Sequence, residues 1–234
     1  MDSIAIMTCL HGNEPFGLEV KRILEKNVPV FVGSPLAIEK NVRFVESDLN
    51  RVFPGKENGD YEEKRAREIL NELKDFDIVI DVHSSPCEMP LFGIITKPNN
   101  QKIEFAKKLG LKKLIIMSSK LANGGALIDH VPFGISLEIG PHDRENNVKE
   151  VVDLINNFLN KNNKNNNMEI FEVFDLIKGE KGVKFFIDNF KEVKKGSLIA
   201  RGKKEYFAEY DFVPVFVGRN SYSGILCLAA KKNI

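Results

Sequence analysis

Through the first two-thirds of the chain, short apolar runs alternate with longer amphipathic segments, and this alternation constrains the fold more than any other feature. Residues 3–8, 28–32, 91–96, 113–117 and 134–139 read as strands, and the run Phe76-Asp-Ile-Val-Ile-Asp-Val82 is a nearly continuous buried strand that ends at His83. Between them, residues 15–26, 60–74, 101–109 and 146–160 carry apolar positions at helical spacing. Strand and helix in turn predict an α/β layer structure: a mixed, largely parallel sheet with helices on both faces.

The texture changes after the polar run Asn160-Lys-Asn-Asn-Lys-Asn-Asn-Asn167, which cannot bury a face and reads as a linker or loop. Beyond it, residues 183–187, 205–210, 213–217 and 224–229 are short, rich in aromatic and β-branched residues, and separated by Gly turns. The expected division is an α/β domain over residues 1–160, a linker or loop over 161–168, and a small C-terminal all-β domain over 169–234.

Length and charge narrow the function. A chain of 234 residues holds one sizeable core with room for a small appendage, and so permits an enzyme. Its 34 Lys+Arg against 33 Asp+Glu leave a net charge of +1, without the cationic surplus that sequence-independent nucleic-acid binding needs. The apolar runs are shorter than the roughly 20 residues that span a bilayer. Asp2 stands where a signal peptide would carry its cationic opening, so a cytoplasmic protein without membrane contact is expected. Cys9, Cys87 and Cys227 are scattered and odd in number, and read as reduced, buried thiols.

His11-Gly-Asn-Glu14 directly follows the first predicted strand. By itself the pair fits either a chelating pair or the polar start of a helix. In open α/β sheets the ligand crevice lies beyond the carboxyl ends of parallel strands. If the strand before His11 and the strand ending at His83 are parallel neighbours, His11, Glu14 and His83 converge on one rim. Two imidazoles and one carboxylate leave a fourth tetrahedral position for water, which is the make-up of a catalytic zinc site. Gly12 offers the backbone freedom for a tight turn between the two ligands.

Glu138 lies inside the apolar run 134–141, where an acid needs a partner or a task. It suits either a structural ion pair or the carboxylate that a metal hydrolase uses to move protons. Arg51 beside Asn50 suits a two-point grip on a carboxylate, and Arg43 suits a developing oxyanion, although each Arg taken singly also fits a surface position. His130 and His142 complete no ligand motif and read as loop residues.

His11-Gly-Asn-Glu14, Asp48-Leu-Asn-Arg51, Asp81-Val-His83 and Leu137-Glu138-Ile-Gly140, in this order and at these spacings, resemble the succinylglutamate desuccinylase and aspartoacylase family, which shares the zinc carboxypeptidase fold. The resemblance covers roughly residues 3–145 by motif. It extends more weakly to Val213-Pro-Val-Phe-Val217 and Asn220-Ser-Tyr222, which look like the family's C-terminal β domain. It implies one zinc ion per chain held by His11, Glu14 and His83, with Glu138 as general base and acid. It further implies that Arg43 polarises the scissile carbonyl and that Asn50 and Arg51 clamp the substrate carboxylate. Asp48 matches the acid that orients the first zinc histidine, and Tyr222 matches a substrate-contacting tyrosine, a position that equally fits a packed aromatic.

One departure bears on the substrate. The aspartoacylases place an Arg about ten residues before the catalytic Glu, whereas this chain has Asn123-Gly-Gly-Ala-Leu-Ile-Asp-His130 there. The resemblance therefore implies a zinc-dependent amidohydrolase that deacylates a small N-acyl amino acid or a similar amide bearing a carboxylate, without implying acylaspartate. A carboxypeptidase acting on peptides and a metal-binding homologue without turnover are the alternatives. Acyl group, acceptor and oligomeric state are not legible in the residues.

Overall fold

The computed structural model describes residues 3–162, 167–218 and 224–233. The first 160 residues form β1 (Ile4–Thr8), α1 (Phe16–Leu24), β2 (Val30–Val32), α2 (Pro35–Glu39), α3 (Tyr61–Leu73), β3 (Ile78–Ser84), β4 (Met89–Thr96), α4 (Asn100–Leu109), β5 (Lys113–Met117), β6 (Phe133–Gly140) and α5 (Asn147–Leu159). The tail adds β7 (Glu169–Lys178), β8 (Lys184–Phe185), β9 (Leu198–Arg201), β10 (Glu205–Phe207), β11 (Val213–Val215) and β12 (Ile225–Asn233). Helix α2 and strands β7 and β9 fall where the sequence pattern predicts no element.

Nine strands make one mixed sheet in the order β11-β12-β7-β5-β4-β6-β3-β1-β2. The pairs β1/β2, β1/β3, β3/β6, β4/β5 and β5/β7 are parallel, and β4/β6, β7/β12 and β11/β12 antiparallel. The mixed, largely parallel sheet expected from the alternation is thus present. Three tail strands continue it, while β10, β9 and β8 form a separate small antiparallel sheet.

The period of two along each strand sorts side chains between the faces. Ile6 of β1, Ile78, Ile80 and Val82 of β3, and Ile135, Leu137 and Ile139 of β6 pack with α1, α4 and α5 through Val20, Leu24, Phe105, Leu109, Val151 and Ile155. On the opposite face Ala5, Met7 and Val79 meet α3 through Ala66, Ile69 and Leu73. Helix α3 starts cleanly because Asp60 and Glu63 cap each other reciprocally. Farther along that second face, Phe92, Ile94 and Ile115 are covered by Phe171, Val215, Phe216 and Leu228 of the tail. Between the two apolar patches the same face carries Asp81 and His83 on β3, and Ser136 and Glu138 on β6.

Candidate metal centre

β1 and β3 are parallel neighbours with Thr8 beside Val82, so the loop leaving β1 opens next to the end of β3. Cys9, at φ 54°, turns the chain out of the sheet, and His11 and Glu14 follow in the loop before α1. Gly12 is required there for space. A Cβ on it would lie 2.0 Å from the Ala37 carbonyl carbon, so no other residue fits without moving α2.

His11, Glu14 and His83 are buried, and one donor atom from each lies within 4.8 Å of the others, a group able to hold a metal ion. Nδ1 of His11 is 2.8 Å from Glu14 Oε1, and Nδ1 of His83 is 3.2 Å from Glu14 Oε2. The outer nitrogens face carboxylates as well: Nε2 of His11 is 3.0 Å from Asp48 Oδ1, and Nε2 of His83 is 2.7 Å from Asp81 Oδ2. Backbone N–H of Ser84 donates to Glu14 Oε2 at 3.0 Å.

The chemistry of this donor set fits a divalent cation. If each Nε2–H donates outward to its carboxylate, both Nδ1 lone pairs and the Glu14 oxygens converge on one point. Three electron-pair donors so arranged repel unless a positive charge lies among them. Protons can supply that charge in part. Burial opposes protonation of His83, yet Asp81 and Glu14 hold its pKa well above the ordinary imidazole value. Burial likewise disfavours ionised Glu14, yet the two histidines hold its pKa far below the usual range. Carboxylates behind metal-binding imidazoles fix tautomer and ring orientation.

Asp48 ties the second part of the site to the first. Its Oδ1 faces His11 and accepts the Asn50 backbone N–H at 3.0 Å, while its Oδ2 accepts Nε and Nη2 of Arg43 at 3.0 and 2.9 Å. Burial raises its pKa, but His11, Arg43 and Arg51 outweigh burial and keep the carboxyl ionised well below the ordinary range. With its fork on Asp48, Arg43 turns Nη1 towards Glu14 Oε1 at 4.0 Å.

Asn50 accepts the Leu127 backbone N–H on Oδ1 at 2.9 Å, and its Nδ2 lies 3.2 Å from His83 Nε2. Arg51 donates from Nη1 to the Asn50 carbonyl. Glu138, 4% exposed, is the register partner of His83 on β6. One cavity of about 100 Å³ is lined by His11, His83, Glu138, Arg43, Asn50 and Arg51 together. Among the residues singled out from sequence, Tyr222 and the neighbouring Asn220 lie outside the described residues.

Asp81 joins the candidate site without a role assigned to it from sequence: its Oδ2 lies 2.7 Å from His83 Nε2. The motif Asp81-Val-His83 contains it, and because positions i and i+2 of a strand share a face, the spacing alone aims it with His83. His130 and His142 stand apart from the ligand group. His130 donates Nε2–H to the Gly124 carbonyl at 2.6 Å and stacks on Phe53, and His142 Nδ1 is 2.6 Å from Ser84 Oγ. In the segment where the aspartoacylases carry an Arg, Gly125 runs so close to the Arg51 carbonyl that a Cβ would lie 2.0 Å from its oxygen, and Ala126 and Ile128 give the cavity an apolar wall.

Residues 1–160 match the succinylglutamate desuccinylase/aspartoacylase catalytic domain. The chain belongs to this family. Among curated members, a probable aspartoacylase from Prochlorococcus marinus (strain AS9601) is 32% identical over 161 residues, 58% of this chain and 53% of that protein. The N-acyl-aromatic-L-amino acid amidohydrolase (carboxylate-forming) of Xenopus tropicalis is 27% identical over 170 residues, 60% of this chain and 55% of that protein. The chain thus spans about half the length of the curated relatives it matches. In fold the chain is similar to murine aminoacylase 3, with a TM-score of 0.82 and 19% identity over 99% of this chain and 95% of that one. The likeness therefore takes in the tail as well as the catalytic region.

Proposed function

We propose that the protein is a zinc-dependent deacylase that hydrolyses the amide bond of a small N-acyl amino acid or a related compound. The observation that carries this reading is that His11 and His83, grouped with the buried Glu14, line a single cavity together with Glu138 and Arg43. Relatives named aspartoacylase and N-acyl-aromatic-L-amino acid amidohydrolase support the same reaction class. Zinc held by the two histidines and Glu14 would supply Lewis acidity and a water that is nucleophilic near neutral pH.

The chain's own residues do the rest. Glu138 takes the proton of the attacking water and passes it to the leaving nitrogen as the C–N bond breaks, giving a carboxylate and a free amine. Arg43, immobilised by its fork on Asp48, presents Nη1 to the oxygen that gains charge. Arg51 and Asn50 hold the substrate carboxylate. Asp48 and Asp81 keep the imidazoles turned so that their Nδ1 atoms face inwards.

The far wall supports a small, uncharged variable group. Ile94, Met117, Ile128, Leu176, Phe216 and Leu228 line it, three of them from the tail. Residues 169–234 act in this reading as a cap, which favours a small amide over a peptide threading past the metal. Among the described residues, no helix is long and apolar enough to cross a membrane. Three free, buried cysteines support a reducing, cytoplasmic setting.

The test measures zinc per chain together with release of amine from N-acetyl amino acids, using Glu138→Ala as control. Stoichiometric zinc with turnover that Glu138→Ala abolishes is the expected result. A wild-type protein that binds zinc, retains N-acetyl amino acids and never cleaves them would establish a binding protein instead. Faster release of C-terminal residues from longer peptides would establish a carboxypeptidase.

A further inference from the structure

Residues 40–48 form neither helix nor strand, yet they deliver Arg43 and Asp48 to the metal centre. Such a segment has no ladder to satisfy its N–H groups or to hold its side chains still. Glu62, in the first turn of α3, takes over both tasks. It is fully buried; its Oε1 accepts the Val45 N–H at 2.7 Å, and its Oε2 accepts the N–H groups of Glu46 and Ser47, each at 3.1 Å.

Burying a carboxylate is costly unless it is well hydrogen-bonded, and three consecutive backbone donors meet that condition. The loop grips back, since Tyr61 N–H donates to Glu46 Oε2 at 2.6 Å. At its other end Gly12 N–H donates to the Arg43 carbonyl at 3.2 Å, tying the loop to the turn that bears His11. Glu46, Asp60 and Glu62 could also be grouped as a cation site. Against that, both Glu62 oxygens, Glu46 Oε2 and Asp60 Oδ1 already accept N–H bonds.

We propose that Glu62 is a positioning residue: by holding the 45–47 backbone it sets Arg43 and Asp48, and through Asp48 the ring of His11. No surface role explains a buried carboxylate whose every bond goes to this one loop. The consequence for the metal rests on the reading that His11 holds zinc; the consequence for the loop does not. Gln in place of Glu62 preserves volume but keeps only one acceptor oxygen, so whichever way the amide turns its NH2 faces a backbone N–H, that of Val45 or those of Glu46 and Ser47, where no bond can form.

The experiment compares the wild type, Glu62→Gln and the milder, exposed-side variant Glu46→Ala, which removes the bond from Tyr61. Amide hydrogen exchange is read at residues 43–48 and, as reference, in β1 and β3. Zinc affinity is read by competition with a chromophoric chelator. Glu62→Gln is expected to exchange at least tenfold faster at Val45, Glu46 and Ser47 with the reference strands unchanged, and to bind zinc about tenfold more weakly. Glu46→Ala is expected to move both quantities in the same direction and less far, which decides the matter if Glu62→Gln does not fold. Unchanged exchange in the loop overturns the clamp. A loosened loop with zinc affinity within twofold of wild type overturns its link to His11. A wild type that binds no zinc would sink the metal reading by itself, and the exchange arm would still decide whether Glu62 holds the loop.

Discussion

His83 and Glu138 are register partners on the adjacent parallel strands β3 and β6, and both point to the sheet face closed by α3 and the tail. A proposed metal ligand and the acid next to it are therefore held by one backbone ladder. Sites built on strands keep their geometry better than sites on loops. In this protein the rigid half, His83, Asp81 and Glu138, faces a loop half, His11, Glu14, Arg43 and Asp48.

Glu138→Gln separates chemistry from metal binding. Because Glu138 is outside the His11, Glu14 and His83 donor group, the variant is expected to keep zinc content and melting temperature near wild type. Turnover should fall by about 10²–10⁴-fold, the usual contribution of general acid–base catalysis. Retention of more than a tenth of wild-type kcat would remove Glu138 from the proton-transfer role.

Asp81→Asn tests the carboxylate behind His83. The amide can still reach Nε2 but no longer stabilises the imidazole electrostatically, and loss of such partners typically weakens metal binding by about 10–100-fold. Chelator competition measures this directly, and an unchanged zinc affinity would show that His83 needs no support from Asp81.

The acid and alkaline limits of the chelator-treated protein follow from two opposite shifts. Glu14, with its pKa held below the ordinary 4.5, contributes stability that is present above that value and is lost as pH falls through its lowered one. His83, with its pKa held above 6.5, contributes stability that is present below that value and is lost as pH rises through its raised one. Melting temperature should then be highest between about pH 4.5 and 6.5 and decline on both sides. Added zinc should abolish the alkaline decline, because the ion replaces the proton on the imidazole; a decline that zinc leaves untouched would refute the assignment.

Gly12→Ala probes space rather than backbone freedom. The added methyl meets the Ala37 carbonyl carbon at 2.0 Å, so α2 or the His11 loop must shift. A loss of about 1–3 kcal/mol in urea unfolding is expected, the range for overpacking. A fully stable variant with unaltered zinc affinity would mean that the turn yields easily.

Side-chain preference should follow the apolar wall. N-acetyl derivatives of amino acids with neutral, apolar side chains are expected to exceed N-acetylaspartate in kcat/KM by more than tenfold, since a second carboxylate would be buried without a partner. Equal rates would place the variable group elsewhere in the cavity.

The layer architecture and the grouping of His11, Glu14 and His83 as candidate ligands were legible in the sequence. Nearly continuous apolar runs such as 78–82 and 134–139 reveal their burial locally, and a pair of strand-end motifs can be placed on one rim by topology rules alone. Tertiary structure decided what local pattern does not encode. Strand β7, charged and half-exposed along its length, is ordered by pairing with β5 and β12, so its sequence carries no clean alternation. Gly12 matters because of Ala37, and Glu62 because of a loop 15 to 17 residues away, contacts that exist only once α2 and α3 have packed. Asp48 reaches His11 across 37 residues for the same reason. Periodicity reports which face of an element is buried; which polar group meets which is decided by how the elements dock, and the candidate metal centre is made of those meetings.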